Sequence, residues 1–235
     1  MVDYHTHILP GMDDGSKTCE DSIRMLAALH RQGVDTVCLT PHFNGKAESP
    51  ENFLRRRREA YARLTEKLPQ DMPRLRLGAE VKYYRGVSCM QQLPQLRLEG
   101  TNILLLEMSF SPWSNGTVNE VLKMQNSGGF TVMLAHVERY TASTKNREIL
   151  SRLSGLPVTA QLNAEYFINL KRRDKNGPLQ LGFRRFVLGS DAHSLGRRIP
   201  NMADGRAAVE SRFGMAALDG IDRVGTSLLW ENLNG

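Results

Sequence analysis

Residues 3–16 read Asp3-Tyr4-His5-Thr6-His7-Ile8-Leu9-Pro10-Gly11-Met12-Asp13-Asp14-Gly15-Ser16. A strand-like run, Val2–His5, carries two histidines set one residue apart at its end, and Pro10-Gly11-Met12-Asp13-Asp14-Gly15 follows as a turn-rich loop. Alternate side chains of a strand share a face, so His5 and His7 can both reach one metal ion. Asp14 follows in the loop. A strand that ends on imidazoles and continues into an acidic loop is the pattern of an α/β barrel, whose chemistry collects at the carboxyl ends of its strands.

The same unit recurs along the chain. Short apolar runs predict strands at Val2–His5, Thr36–Thr40, Leu75–Glu80, Asn102–Glu107, Phe130–Ala135, Val158–Asn163 and Phe186–Ser190. They are rich in Val, Ile and Leu, as strands buried on both faces are. Helical patterns lie between them. Thr18 caps one with Asp21 three residues on, a shortened capping box, and Gly33 stops it. A second runs from Pro50 to Leu68, with Leu54, Tyr61, Leu64 and Leu68 on one stripe; others cover Asn115–Ser127, Lys145–Ser154 and Met202–Phe213. Strands alternating with helices predict a parallel sheet, and seven strands predict a distorted seven-stranded (β/α)7 barrel in a single domain over residues 1–235.

The 235 residues are 40% hydrophobic and 24% charged, an ordinary globular composition that supports one sizeable core. No apolar run is long enough to span a membrane and the start is not a leader peptide, so a cytoplasmic protein is expected. The net charge of +6 comes largely from Arg55 to Arg58, Lys171-Arg172-Arg173, Arg184-Arg185 and Arg197-Arg198. Such runs are mostly solvated faces, and no pattern of a nucleic-acid-binding module accompanies them. The tail from Leu218 to Gly235, with Leu228, Leu229, Trp230 and Leu233, is expected to dock on the barrel rather than on another subunit.

Of six histidines, five stand at or just past strand ends: His5, His7, His42, His136 and His193. His30 falls instead in a last helical turn, where the helix dipole is reason enough for it. Glu80 and Glu107 end predicted strands, and Asp191 follows the last one in Gly189-Ser190-Asp191-Ala192-His193. Imidazoles and carboxylates without thiolates suit Zn, Mn or Fe. The three cysteines are Cys19, Cys38 and Cys89, with no C-x-x-C pair among them. Six residues after them stand Met25, Asn44 and Gln95, so the Cys-x5-Arg loop of a cysteine phosphatase is absent.

The stretch from Asp3 to Ser16 resembles the PHP (polymerase and histidinol phosphatase) superfamily and, within it, the CpsB/CapC-type protein-tyrosine phosphatases of bacterial capsule clusters. Thr40-Pro41-His42, Gly78-Ala79-Glu80, Leu106-Glu107-Met108, Ala135-His136-Val137-Glu138-Arg139-Tyr140 and Gly189 to His193 agree in order and spacing. The resemblance implies three divalent metal ions, usually manganese, sometimes zinc or iron. It implies one site from His5, His7, Glu80 and Asp191, a second from Glu80, Glu107 and His136, and a third from Asp14, His42 and His193. Arg139 and an arginine of the Arg197-Arg198 pair would hold phosphate, with Asp191 and His42 taking part in catalysis. Val137 stands where the branch usually has Pro, Ser194 where Asn is common, and Gly196-Arg197-Arg198 replaces an Asp/Asn-Gly-Arg run. These departures leave either arginine open; spacing favours Arg198.

The implied reaction is hydrolysis of phosphotyrosine on protein, notably a bacterial tyrosine kinase tail controlling capsule or exopolysaccharide synthesis, by metal-activated hydroxide and without a phosphocysteine. Two alternatives remain at this stage. One is a phosphoesterase for a small monoester such as histidinol phosphate; the other is a non-catalytic phosphotyrosine-binding regulator. The sequence leaves the oligomeric state open.

Overall fold

The computed structural model describes residues 1–171 and 181–233, and of 230–233 the backbone only. Arg172, Arg173 and the side chains of Trp230 and Leu233 therefore lie outside the described residues.

The described strands are β1 (Val2–Thr6), β2 (Thr36–Leu39), β3 (His42–Phe43), β4 (Arg74–Leu77), β5 (Glu80–Lys82), β6 (Ile103–Glu107), β7 (Thr131–Leu134), β8 (Thr159–Asn163) and β9 (Arg185–Gly189). All their pairings are parallel. They form a sheet in the order β1-β2-β4 and another in the order β3-β5-β6-β7-β8-β9. A parallel bridge between Thr6 and Ala192 joins β1 to the end of β9. The expectation of an α/β fold with parallel strands is met.

Two predicted strands are cut in two, and the reason lies at the cut. Pro41 has no N–H to give to a ladder, so the second run stops at Leu39 and resumes at His42. Opposite it the third run breaks at Gly78-Ala79. The chains stay in contact through the break, Gly78 N–H donating to Leu39 O at 2.9 Å and Glu80 N–H to Pro41 O at 3.0 Å.

The helices are α1 (Cys19–Arg31), α2 (Pro50–Glu66), α3 (Asn115–Gly128), α4 (Thr144–Ser154), α5 (Ala164–Asn169), α6 (Met202–Phe213) and α7 (Met215–Leu233). Thr18 caps α1 by accepting from the Asp21 N–H, as its spacing predicts, and Gly33 with φ +81° ends it. Ser49 caps α2, which begins on Pro50. The short α5, directly after β8, has no counterpart in the sequence reading; six residues are too few to display a helical period.

Leu104, Leu105 and Leu106 of β6 are fully buried, between a sheet neighbour on each side and helices outside. Each such side chain contributes about 2 kcal/mol by leaving water. The C-terminal tail does dock. Leu218, Ile221 and Leu228 of α7 are buried, and the Tyr4 hydroxyl of β1 donates to Gly225 O. The arginine run divides: Arg55 and Arg58 are exposed, but Arg57 is buried and donates to Gly78 O at 2.7 Å and Gln95 O at 2.9 Å. Arg57 thus holds the break before Glu80 rather than forming a solvated face. No described helix is long and apolar enough to cross a membrane.

Candidate metal centre

The ends of β1, β6, β7 and β9, with the starts of β3 and β5 just past the breaks after β2 and β4, bring the predicted site residues together. His5 is in β1 and His7 one residue past it; His42 begins β3, Glu80 begins β5, Glu107 ends β6, His136 follows β7, and Asp191 and His193 follow β9. Glu80 is the hub. Its Oε1 lies 2.9 Å from His136 Nε2, and its Oε2 lies 2.7 Å from His42 Nδ1, 3.3 Å from His5 Nε2 and 3.4 Å from His7 Nε2. Asp191 Oδ1 lies 3.4 Å from His7 Nε2 and 3.7 Å from His5 Nε2. Asp14, the exposed member, places Oδ1 3.3 Å from His193 Nε2 and 3.5 Å from His42 Nε2.

Three compact groups of candidate ligand atoms emerge: His7, Asp14, His42 and His193; His5, His7 and Glu80; and His42, Glu80 and Glu107. Compared with the grouping implied by the resemblance, His7 also stands beside Asp14 and His193, and His42 also beside Glu107. His136 reaches Glu107 Oε1 only at 4.0 Å.

The hydrogen bonds show what the cluster lacks. His5 Nδ1 pairs with Gln161 Oε1 at 2.9 Å and His7 Nδ1 with Asp13 Oδ2 at 2.7 Å. With a metal ion bound, each acceptor would hold the proton on Nδ1 of a neutral ring and leave a lone pair on Nε2; without one, the carboxylates around them outweigh burial and raise the pKa of His5, and raise that of His7 well above its ordinary value. Those two Nε2 atoms are 3.1 Å apart. Glu80 Oε2, Asp191 Oδ1 and His136 Nδ1 are buried and have no hydrogen-bond partner of acceptable geometry. Lone pairs and carboxylate oxygens converging on common points, with nothing to satisfy them, fit divalent cations; nitrogens about 2.0–2.1 Å from one ion naturally stand near this separation.

Electrostatics agree. Burial by itself would raise the Glu80 carboxyl, but the charge of His5, the hydrogen bond from His136 and the closeness of His42 outweigh it and hold Glu80 well below the carboxylate range. Burial would likewise raise Asp191, and His5 and His7 pull it well below. Glu107 moves up, through burial and the charge of Glu80. The site keeps its central carboxylates ionised for a cation.

The backbone carries the cost of this arrangement. Among the described residues only three non-glycines have positive φ: His136 (34°), Asp191 (53°) and Arg198 (54°). All three are predicted site residues. Each such position costs on the order of 1–3 kcal/mol, which the surrounding packing must offset.

Known proteins place the chain. A profile of the CpsB/CapC family, described as capsular polysaccharide synthesis, matches residues 1–226. This chain belongs to the CpsB/CapC family. It is 30% identical over 222 residues to the tyrosine-protein phosphatase YwqE of Bacillus subtilis, spanning 91% of this chain and 85% of that one. It is 28% identical over 225 residues to the tyrosine-protein phosphatase CpsB of Streptococcus agalactiae, spanning 91% of each. A solved chain described under crystal structures of YwqE from Bacillus subtilis and CpsB from Streptococcus pneumoniae, unique metal-dependent tyrosine phosphatases, superposes with a TM-score of 0.78. That match has 25% identity and covers 99% of this chain and 95% of the other.

In this CpsB/CapC protein the two neighbouring arginines differ in place. Arg198 donates to Asp191 Oδ2 and lies 2.7 Å from His193 Nε2, whereas Arg197 is exposed. Arg139 donates to the same Asp191 Oδ2 at 2.6 Å. Asp191 therefore turns one oxygen to the histidines and the other to two guanidiniums.

Four residues escaped the sequence reading of function. Asp13 accepts from His7 and from the backbone N–H of His42 (2.9 Å) and Gly15 (2.9 Å). Gln161 accepts from His5 and from the His136 N–H at 2.8 Å, and donates to Asn163, which donates to Asp191 Oδ2 at 2.9 Å. Asp3 accepts from Ser190 N–H and Oγ; burial outweighs those bonds and leaves its pKa raised to about 6. In β8 the polar side chains Thr159, Gln161 and Asn163 alternate with Ala160 and Leu162, a pattern that marks a polar face but not what it holds.

Proposed function

We propose that this protein is a metal-dependent protein-tyrosine phosphatase acting in capsule or exopolysaccharide synthesis. The observation that carries the reading is the set of orphaned buried acceptors, Glu80 Oε2 and Asp191 Oδ1, facing paired lone-pair nitrogens of His5 and His7. The names of its relatives supply the substrate class: YwqE and CpsB are tyrosine-protein phosphatases.

The ligands would be His5, His7, Asp14, His42, Glu80, Glu107, His136, Asp191 and His193, holding three divalent cations with manganese favoured. Four carboxylates against three divalent cations leave net positive charge, suited to a phosphoryl dianion. Such cations supply Lewis acidity toward phosphoryl oxygens and water. The chain's own part is positioning. Asp13 and Gln161 fix the tautomers of His7 and His5, and Asp191 Oδ2 aims the Arg139 and Arg198 forks at the phosphoryl oxygens. The Arg57–Gly78 contact sets the backbone from which Glu80 projects. The bridge at Thr6–Ala192 and the contacts across the Pro41 and Gly78 breaks favour reading the two sheets as one distorted seven-stranded barrel within a single domain. A capsule-associated tyrosine kinase is the proposed protein substrate, in keeping with the family's description.

The test is hydrolysis of a phosphotyrosine peptide by metal-stripped protein, with and without Mn²⁺, beside His136→Ala and with histidinol phosphate as rival substrate. Mn²⁺-dependent peptide turnover that His136→Ala abolishes and that exceeds turnover of the small ester is expected. Turnover of histidinol phosphate alone overturns the protein-phosphatase reading.

A further inference from the structure

Phe110 is 63% exposed, the most exposed large apolar side chain among the described residues. It stands three residues beyond Glu107, in the loop between β6 and α3. The loop is tied on both sides of it. Met108 N–H donates to the Tyr140 hydroxyl at 3.0 Å, Trp113 Nε1 donates to Ser109 O at 2.6 Å, and Trp113 N–H donates to Asn146 Oδ1 at 2.9 Å. These ties hold the loop with the Phe110 ring turned to solvent.

The ring also has a fixed relation to the metal centre. Phe110 packs on Tyr140 with centroids 5.4 Å apart, Trp113 packs on Tyr140 at 5.0 Å, and Tyr140 packs on His136 at 5.5 Å. An aromatic ladder thus runs from a candidate ligand, His136, through buried Tyr140 to exposed Phe110. These spacings are those of offset and edge-to-face pairs. Leu195 and Ile199, beside His193 and Arg198, are exposed apolar side chains too, but at 45% each they are less exposed than Phe110 and are aliphatic, whereas Phe110 offers a ring face.

We infer that Phe110, backed by Tyr140, is the aryl-recognition platform of the site: it stacks on the ring of an aromatic phosphomonoester and so separates phosphotyrosine from phosphorylated alcohols. The inference rests on the phosphatase reading for its biological meaning, but it concerns binding. The ring is presented in advance, so little ordering is needed when a substrate ring arrives.

The test is calorimetric binding of phenylphosphonate and methylphosphonate, neither of which turns over, to Mn²⁺-loaded protein. Unaltered protein, Phe110→Ala, Phe110→Tyr and the control Met215→Ala, which removes another exposed apolar side chain, are compared. Phe110→Ala should weaken phenylphosphonate about fivefold, the size expected for one aromatic pair, and leave methylphosphonate unchanged. Phe110→Tyr and Met215→Ala should bind both as the unaltered protein does. Equal weakening of both ligands by Phe110→Ala, or no change in either, overturns the inference. Failure of the unaltered protein to hydrolyse a phosphotyrosine peptide is a separate result: it removes the phosphatase reading while a selective loss of phenylphosphonate would still support the platform.

Discussion

His5 Nε2 and His7 Nε2 face each other at 3.1 Å, and each ring's other nitrogen is committed to an acceptor, Gln161 for one and Asp13 for the other. Two lone pairs at that distance repel unless a cation lies between their reach. Metal binding should therefore be felt as fold stability. Mn²⁺ at about 100 times its Kd should add about 2.7 kcal/mol, seen as a raised Tm relative to chelator-treated protein, and His5→Ala should lose most of the gain. An identical Tm with and without Mn²⁺ would remove the metal from the account.

Gln161 tests how far the outer hydrogen bonds matter. Gln161→Leu keeps the volume but leaves His5 Nδ1 and the His136 N–H without their acceptor. Metal affinity should fall about 10–100-fold, measured by competition with a chelator of known affinity. Unchanged affinity would show that packing alone orients the two rings.

Arg139 and Arg198 share Asp191 Oδ2, so a lysine at either place keeps the charge and loses the planar fork. Arg139→Lys and Arg198→Lys should each lower kcat/KM by about 100-fold while metal content by mass spectrometry stays intact. A loss of metal instead would make the arginines structural supports of Asp191.

The cysteines should be irrelevant to turnover. Cys19 and Cys38 are buried and Cys89 exposed, and burial pushes the Cys38 thiol up. A thiol alkylating agent should label Cys89 in the native protein, spare the other two, and leave activity as it was. Inactivation that tracks alkylation would contradict a metal-based reaction.

Two glycines separate fold from site. A Cβ on Gly205 would lie 2.4 Å from the Ala164 Cβ, where α6 crosses α5. Gly205→Ala should lower stability by about 1–3 kcal/mol in denaturant titrations and keep metal stoichiometry. A Cβ on Gly15 would lie 2.0 Å from His7 O, which is backbone and cannot move aside. Gly15→Ala should displace the Asp13–Asp14 loop and lose metal as well as stability.

Much of this was legible because histidines are scarce and strands announce themselves. Once His5, His42, Glu80, Glu107, His136 and Asp191 fall at strand ends, a barrel-like rim brings them together without further information. The cuts at Pro41 and Gly78 were less legible, since an apolar run shows where a strand can form and not where its partner lacks a donor. Arg57 was misread with its neighbours because charge says nothing of the two carbonyls, Gly78 and Gln95, that receive it. Asp13, Gln161 and Asn163 stayed hidden for a related reason: their work is to hold other side chains, and only distances reveal that.

The three left-handed residues, His136, Asp191 and Arg198, set a direction for sequence drift in this fold. Glycine at any of them relieves the backbone and removes a group from the centre in one step. Gene duplication followed by relaxed selection would thus slide downhill toward a sturdier, silent pseudoenzyme, and glycine at these three positions is the mark by which such a descendant would be recognised.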